Sequence, residues 1–167
     1  AELVKTIKVP GGGGNFTCLK DGSKCYVGLR KANAVGVIDM AKLELMKTIE
    51  TGPDANRLYL NPGNSRYGLF ANEAGKSDIV SIIDTQLDVK VKDIWTGLGP
   101  HNVAFDPDGK FAVISTKKEN VATLVDTGSA DPNDWDVITT DLDSGIQNNG
   151  VRWVPSPAAL KKALAQN

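Results

Sequence analysis

Short apolar runs, many of them alternating with polar residues, follow one another along most of the chain and are separated by turns rich in Gly, Asn and Asp. The runs contain many β-branched and aromatic residues, which suit a pleated sheet. Three of the clearest runs are KCYVGL at 24–29, YGLFAN at 67–72 and FAVIST at 111–116. Each follows a turn whose glycine or asparagine can adopt a positive φ, namely Asp21-Gly22, Gly63-Asn64 and Asp108-Gly109. This pattern predicts an all-β chain built from hairpins.

The hairpins belong to a repeat that occurs three times. An asparagine marks the start of the first strand in each unit and an aspartate ends the third: Asn15, Asn56 and Asn102, and Asp39, Asp84 and Asp126. The predicted strands are 15–19, 24–29, 35–39 and 45–50 in the first unit, 56–60, 67–72, 80–84 and 90–95 in the second, and 101–105, 111–116, 122–126 and 136–140 in the third. Four antiparallel strands in about 45 residues are typical of one β-propeller blade. We therefore predict three complete four-stranded blades, at about 11–50, 52–95 and 97–140.

Incomplete pieces of the repeat flank these blades. The segment 3–9 (LVKTIKV) is similar to the fourth strand LMKTIE, and 150–154 (GVRWV) is similar to a first strand. A propeller segment over 1–155 is then followed by a predicted helix at 156–167, with Ser156 as N-cap and Pro157 in the first turn. Because propellers normally need four to eight blades, a partial propeller of three blades predicts a partner. The partner that covers the outer blade faces could be further blades, another protein or a second copy of the chain.

Composition and charge narrow the classes of protein. The chain has 167 residues, of which 41% are hydrophobic and 23% charged, as in ordinary globular domains. Nineteen basic and twenty acidic residues give a net charge of −1, without the basic excess of a nucleic-acid-binding surface. No apolar run approaches the roughly 20 residues that span a membrane. The chain starts with Ala1 rather than methionine, which is typical of signal-peptide removal and predicts a periplasmic or extracellular protein.

The two cysteines flank the first hairpin turn. Cys18 and Cys25 stand on either side of residues 20–23, so paired antiparallel strands would place them opposite each other. A cross-strand disulfide and a pair of small buried thiols both fit this placement. The sequence leaves these two alternatives open.

The third unit carries the strongest family resemblance. The run GPHNVAFDPDGKFAVIST at 99–116, together with VSIIDT at 80–85 and VATLVDT at 121–127, resembles the YVTN-type β-propeller repeat. This resemblance implies an exported propeller, and some relatives are parts of periplasmic oxidoreductases that use haem, a quinone cofactor or copper. Such enzymes usually need several histidines or a separate cofactor-bearing chain. This chain has a single histidine and no Cys-x-x-Cys-His haem attachment site, so a haem or copper would be borne by a partner.

Polar residues at the starts of the inner strands form the first candidate site. The residues are His101, Asn102, Asn56, Asp54 and Asn15. Their side chains are expected at one mouth of the central channel, where they could surround a ligand or a line of water. The structural alternative is that asparagine satisfies loop backbone groups and that His101 belongs to the repeat consensus. The sequence contains no recognisable catalytic constellation. We therefore interpret the chain as an extracytoplasmic binding or assembly module, with an oxidoreductase subunit as the alternative.

Acidic residues near the end of the third unit form the second candidate site. They alternate with other residues as calcium ligands do, and are Asp131, Asp134, Asp136, Asp141 and Asp143. A complete calcium-binding loop is absent, and a solvated acidic loop is the simpler explanation. The hypothesis that depends on them is a calcium-dependent propeller hydrolase or lactonase. The glycines 11–14 predict either a flexible link between blades or a close approach of the backbone to a ligand.

Overall fold

The computed structural model describes residues 2–143 and Val151, which form twelve strands and two single turns of 3-10 helix. Blade 1 contains β1 (Phe16–Cys18), β2 (Lys24–Leu29), β3 (Ala34–Asp39) and β4 (Glu44–Glu50). Blade 2 contains β5 (Ala55–Leu60), β6 (Tyr67–Asn72), β7 (Ile79–Asp84) and β8 (Val89–Trp95). Blade 3 contains β9 (Pro100–Phe105), β10 (Phe111–Thr116), β11 (Val121–Asp126) and β12 (Asp136–Asp143). The 3-10 turns are Arg30–Ala32 and Pro132–Asp134.

Each blade is one antiparallel sheet whose four strands pair in the order of the chain. This arrangement confirms the predicted all-β fold of three four-stranded blades. The three second strands begin and end where the sequence pattern places them, whereas β12 continues past the predicted end at 140 to Asp143. The pattern succeeds because alternate residues of a strand point to opposite faces of its sheet, so burial on a face is visible in the sequence.

Neighbouring blades pack face to face through two apolar cores. The core between blades 1 and 2 contains Tyr26, Val35, Val37, Ile49, Ala55, Leu58, Phe70 and Ile83. The core between blades 2 and 3 contains Tyr67, Leu69, Val80, Ile82, Ile94, Val103, Ala112, Ile114, Val125 and Trp135. Trp135 comes from the connection before β12, is 1% exposed and meets the ring of Tyr67 edge-on at 6.0 Å. Blade 2 is therefore covered on both faces, which explains why β6 is buried along its whole length.

A buried hydroxyl also joins blades 1 and 2. The hydroxyl of Tyr26 lies 2.6 Å from Asp88 Oδ1 and 2.9 Å from the carbonyl oxygen of Thr85, and it can donate to either. Lys24 donates to the other carboxylate oxygen of Asp88 at 2.8 Å. Burial raises the pKa of Tyr26, and the hydrogen bond to the Asp88 carboxylate raises it further. The phenol therefore stays protonated and able to donate at all ordinary pH values.

The hairpin turns follow the predicted chemistry in two blades. Gly22 and Gly109 adopt positive φ values of 71° and 70°. In blade 2, neither Gly63 nor Asn64 does so. Instead the side chain of Asn61 holds that turn, because its Oδ1 accepts from the amides of Gly63 at 2.8 Å and Asn64 at 3.1 Å. The side-chain amide of Asn61 also donates to the carbonyl of Gly109, so the turn is tied to blade 3.

The segment 3–9, predicted as the fourth strand of a further blade, pairs with no strand in the described part of the chain. Residues 2–9 lie in no strand, and Leu3 and Val4 are 81% and 83% exposed. A fourth strand needs the edge of a third strand beside it, and each of the described sheets already has its own fourth strand. Lys5 of this segment donates from Nζ to the carbonyl of Lys42 at 3.4 Å.

Two other predictions lie outside the described residues. The strand at 150–154 falls there except for Val151, and the helix at 156–167 falls there entirely. The described part of the chain, residues 2–143 and 151, contains no helix with the length and hydrophobicity of a membrane span.

The cysteines form a disulfide across blade 1. Cys18 pairs with Cys25 in the register of β1 and β2, with a Cα–Cα distance of 3.9 Å. The flanking amide of Leu19 donates to the carbonyl of Lys24, which makes the cysteine pair a non-hydrogen-bonded pair, where opposite side chains lie closest. The predicted opposition of the two residues is confirmed, and the disulfide is the alternative that the structure adopts. Such bonds are typical of oxidising compartments.

Reducing this disulfide should lower the free energy of unfolding by about 2–3 kcal/mol, because a short covalent loop restricts the unfolded chain. Urea denaturation with and without dithiothreitol measures the difference. The double variant Cys18→Ala and Cys25→Ala is the control and should not respond to the reductant. Two titratable thiols in the native, unreduced protein would contradict the disulfide.

Candidate functional site

The first strand of each blade begins at the end of the sheet where the second strand finishes, since neighbouring strands are antiparallel. We call this the mouth end. The residue directly after each second strand is charged: Arg30 after β2, Glu73 after β6 and Lys117 after β10. Three equivalent positions of the repeat therefore bring two cations and one carboxylate to the same end of the molecule.

Glu73 is the centre of these charges. Its side chain is only 8% exposed and lies 3.2 Å from Arg30 Nη1 and 3.3 Å from His101 Nε2, and its Oε1 also contacts Lys117 Nζ. Burial alone would raise the pKa of Glu73. The hydrogen bond from Lys117 and the nearby positive charges of His101 (when protonated), Lys117 and Arg30 outweigh burial, so the pKa lies below its ordinary value of 4.5. The carboxylate is thus ionised and joins blades 1, 2 and 3.

Asp54 binds the other side of the Arg30 guanidinium. Its two oxygens lie 2.6 Å from Arg30 Nε and 2.8 Å from Nη2, which is a two-pronged contact. Asp54 stands at a φ of +57°, a conformation that aspartate tolerates better than most residues. Its backbone amide donates to the side chain of Asn33 at 3.2 Å. Arg30 is therefore shared between carboxylates from two separate connections of the chain.

The three repeated asparagines extend the network toward the inner strands. Asn15 donates to Oδ1 of Asn56 at 2.8 Å, and Asn56 is only 2% exposed. Asn102 Nδ2 lies 3.0 Å from His101 Nδ1, and Asn102 Oδ1 accepts from the Tyr59 hydroxyl at 2.5 Å. Burial raises the pKa of Tyr59, which keeps that hydroxyl a donor. With Nδ1 facing an amide and Nε2 facing Glu73, the imidazole of His101 has a defined orientation.

The structure brings all five predicted mouth residues into one connected set. His101, Asn102, Asn56, Asp54 and Asn15 are linked through Arg30, Glu73 and Tyr59. Their role in binding a ligand stays a prediction. The sequence reasoning missed Arg30, Glu73 and Lys117, although a signal was present. Each is the charged residue that directly follows the apolar second strand of its blade.

Three of the five acidic residues predicted as calcium ligands, Asp131, Asp134 and Asp136, accept hydrogen bonds from nearby residues. Asp131 accepts from the backbone amide and side-chain amide of Asn133, both at 2.9 Å, and these bonds lower its pKa. Asp134 accepts from Ser129 at 3.0 Å, and Asp136 accepts from the amide of Val137 at 2.8 Å. Over residues 2–143 and 151, no three His, Cys, Asp or Glu side chains form a group that could hold a metal ion. The calcium hypothesis, which also includes Asp141 and Asp143, stays an untested prediction.

The aspartates that end the third strands cap the following turns. Asp39 Oδ1 accepts from the amides of Ala41 and Lys42, both at 2.9 Å. Asp84 Oδ1 accepts from the two equivalent amides of blade 2 at 2.9 and 3.0 Å, and Asp126 Oδ1 accepts from Gly128 at 2.9 Å. These residues have structural roles at the end opposite to the mouth.

Comparison with solved structures identifies the fold. Hydrazine synthase of Kuenenia stuttgartiensis matches with a TM-score of 0.62 and 24% identity, over 73% of this chain and 34% of that one. A proposed 6-phosphogluconolactonase of Bacteroides fragilis matches with a TM-score of 0.66 and 21% identity, over 81% and 41%. A protein of unknown function from Desulfotomaculum acetoxidans matches with a TM-score of 0.64 and 19% identity, over 87% and 46%.

The chain thus has the fold of β-propeller proteins and spans less than half the length of these three chains. At these identities the likeness concerns the fold alone. No protein-family model and no curated protein matches the sequence. The resemblance to the YVTN-type repeat and the function it implies therefore stay predictions.

The charges around Glu73 predict a specific response to acid. Because the pKa of Glu73 is lowered on folding, its contribution is present above about pH 4.5 and is lost as the pH falls through the folded-state value. Glu73→Gln should therefore lower the free energy of unfolding at neutral pH, by about 1–3 kcal/mol, and flatten its fall with acid. Urea denaturation from pH 7 down to pH 3 measures both effects.

Glu44→Gln is the matched control for this experiment. Glu44 is exposed on β4. Its substitution should leave the pH profile unchanged. Identical profiles for the two variants would show that Glu73 does not join the blades as described.

Proposed function

We propose that the chain contributes three consecutive blades to a larger β-propeller, which acts outside the cytoplasm as a binding or assembly module. The binding surface of this module is the connected set of side chains at the mouth end that is centred on Glu73, which we call the mouth network. The ligand contacts the side chains that surround Glu73 and the asparagines of the inner strands. Its chemistry is reversible binding rather than covalent catalysis by a nucleophile.

The observation that carries this proposal is the connection of all three blades at the mouth. Arg30, Glu73 and Lys117 occupy equivalent positions of the repeat, yet they have complementary charges and meet. A purely local role in each loop would not require charges that complement those of neighbouring blades. Polar side chains gathered on a rigid scaffold at one end of strands are the usual form of a binding site.

Two further observations support the assembly and the location. The solved propellers that the chain matches are more than twice as long as the parts it covers. The disulfide between Cys18 and Cys25 favours an oxidising compartment, in agreement with the export that the sequence predicts. Additional blades on a longer chain or on a partner would then complete the ring.

Sedimentation velocity of the purified chain tests the assembly. We expect a species larger than the 17.8 kDa monomer, or a monomer of low stability that is stabilised by its completing partner. Apolar blade faces without a neighbour favour association in either case. A compact, stable monomer of this mass that gains nothing from a partner would contradict the proposal.

A further inference from the structure

A cleft of about 850 Å³ opens beside the Arg30–Asp54 pair. Its walls come from the glycine run, the 3-10 turn after β2, the connection between blades 1 and 2, and the loop after β6. The lining residues are Gly11, Gly12, Gly13, Arg30, Lys31, Asn33, Pro53, Asp54 and Ala74. The cleft is therefore part of the mouth end and is built entirely from blades 1 and 2 and the segment that leads into them.

The glycine run forms one wall of this cleft. Gly11 adopts a φ of +68°, and a Cβ added there would lie 2.8 Å from the backbone nitrogen of Ala32. The backbone at Gly11 thus passes close against the turn that carries Arg30 and Lys31. Gly12 adopts a φ of +77° and faces open space. Larger residues would be strained or would clash along this wall.

Three neutral hydrogen-bond donors of the cleft are available to a ligand. Among the described residues, the backbone amides of Gly11 and Gly13 and the side-chain amide of Asn33 donate to no acceptor. Asn33 uses its side-chain oxygen for the amide of Asp54, which leaves the NH₂ group as the part available to a ligand. Backbone amides and side-chain carboxamides commonly donate hydrogen bonds to carboxylate or phosphate oxygens.

The charged groups of the cleft also favour an anionic ligand. Arg30 and Lys31 stand against the single carboxylate of Asp54, so the lining has an excess of one positive charge. Arg30 is bound to both Asp54 and Glu73, whereas the ammonium group of Lys31 forms no ion pair with any described residue. An anion entering the cleft would meet one unpaired cation together with several neutral donors.

We propose that this cleft binds a small molecule through a carboxylate or phosphate group. The amides of Gly11 and Gly13 and the NH₂ of Asn33 donate to the anion, and Lys31 supplies the charge. The inference deepens the proposed function, on which it rests, by naming the ligand class of the mouth. Asp54 limits the affinity because it repels an anion and engages the neighbouring Arg30.

Nuclear magnetic resonance of the ¹⁵N-labelled chain tests the site with two probes, inorganic phosphate and citrate, each titrated at constant ionic strength against sodium chloride. We expect saturable shifts at the amides of Gly11 and Gly13 with phosphate, citrate or both. The probe that binds more tightly distinguishes a phosphate from a carboxylate ligand. Shifts that are absent, or that sodium chloride reproduces, would overturn the proposal.

Charge variants sharpen the test. Lys31→Gln should weaken binding about tenfold, as expected for the loss of one charge-assisted contact. Asp54→Asn should tighten binding, since asparagine also tolerates positive φ and removes the repelling charge. Lys47→Gln, at an exposed position of β4, is the matched control and should bind like the unmodified chain. Equal weakening by Lys31→Gln and Lys47→Gln would also overturn the site.

The outcome is separable from that of the proposed function. The cleft lies within blades 1 and 2, so the titration does not require a completed ring. An association seen by sedimentation without any anion-dependent shift would overturn the ligand class alone. A saturable shift in a stable, non-associating monomer would support the site while contradicting the larger propeller.

Discussion

Successive sheets of this chain cover each other's apolar faces, and the positions of all other groups depend on that packing. Blade 2 is enclosed by two cores, one with Tyr26 and Phe70 and the other with Leu69 and Trp135. Because protein interiors are closely packed, the distance and angle between neighbouring sheets have little freedom. The ends of the strands, and the loops that follow them, are therefore held at defined separations.

The mouth network is a consequence of this geometry. Arg30 and Lys117 belong to different blades, and each reaches Glu73 of the blade between them. An isolated blade could not bury a carboxylate to 8% exposure, since the charge would lack the cations that compensate for lost hydration. Packing brings the cations near, and their contacts in turn oppose separation of the blades. Apolar cores and the polar mouth thus stabilise the same arrangement.

Local patterns predicted most of the strands but not all of their partners. The bounds of β2, β6 and β10 follow from runs of apolar residues between turns, and the facing positions of Cys18 and Cys25 follow from the hairpin between them. The strand predicted at 3–9 has the right residues but no sheet edge to join within the described part of the chain. A strand pattern in the sequence indicates that a segment can pair. The segment forms a strand only where a neighbouring strand offers a free edge.

The sequence by itself determined the repeat, the all-β fold, the hairpin turns of blades 1 and 3 and the aspartates that end the third strands, because each depends on residues close together in the chain. Only the tertiary structure decided that Arg30, Glu73, Lys117 and His101 meet, and that the glycine run forms one wall of a cleft. Those contacts join residues of different blades. Their geometry comes from the stacking of twisted sheets, which no single stretch of sequence records.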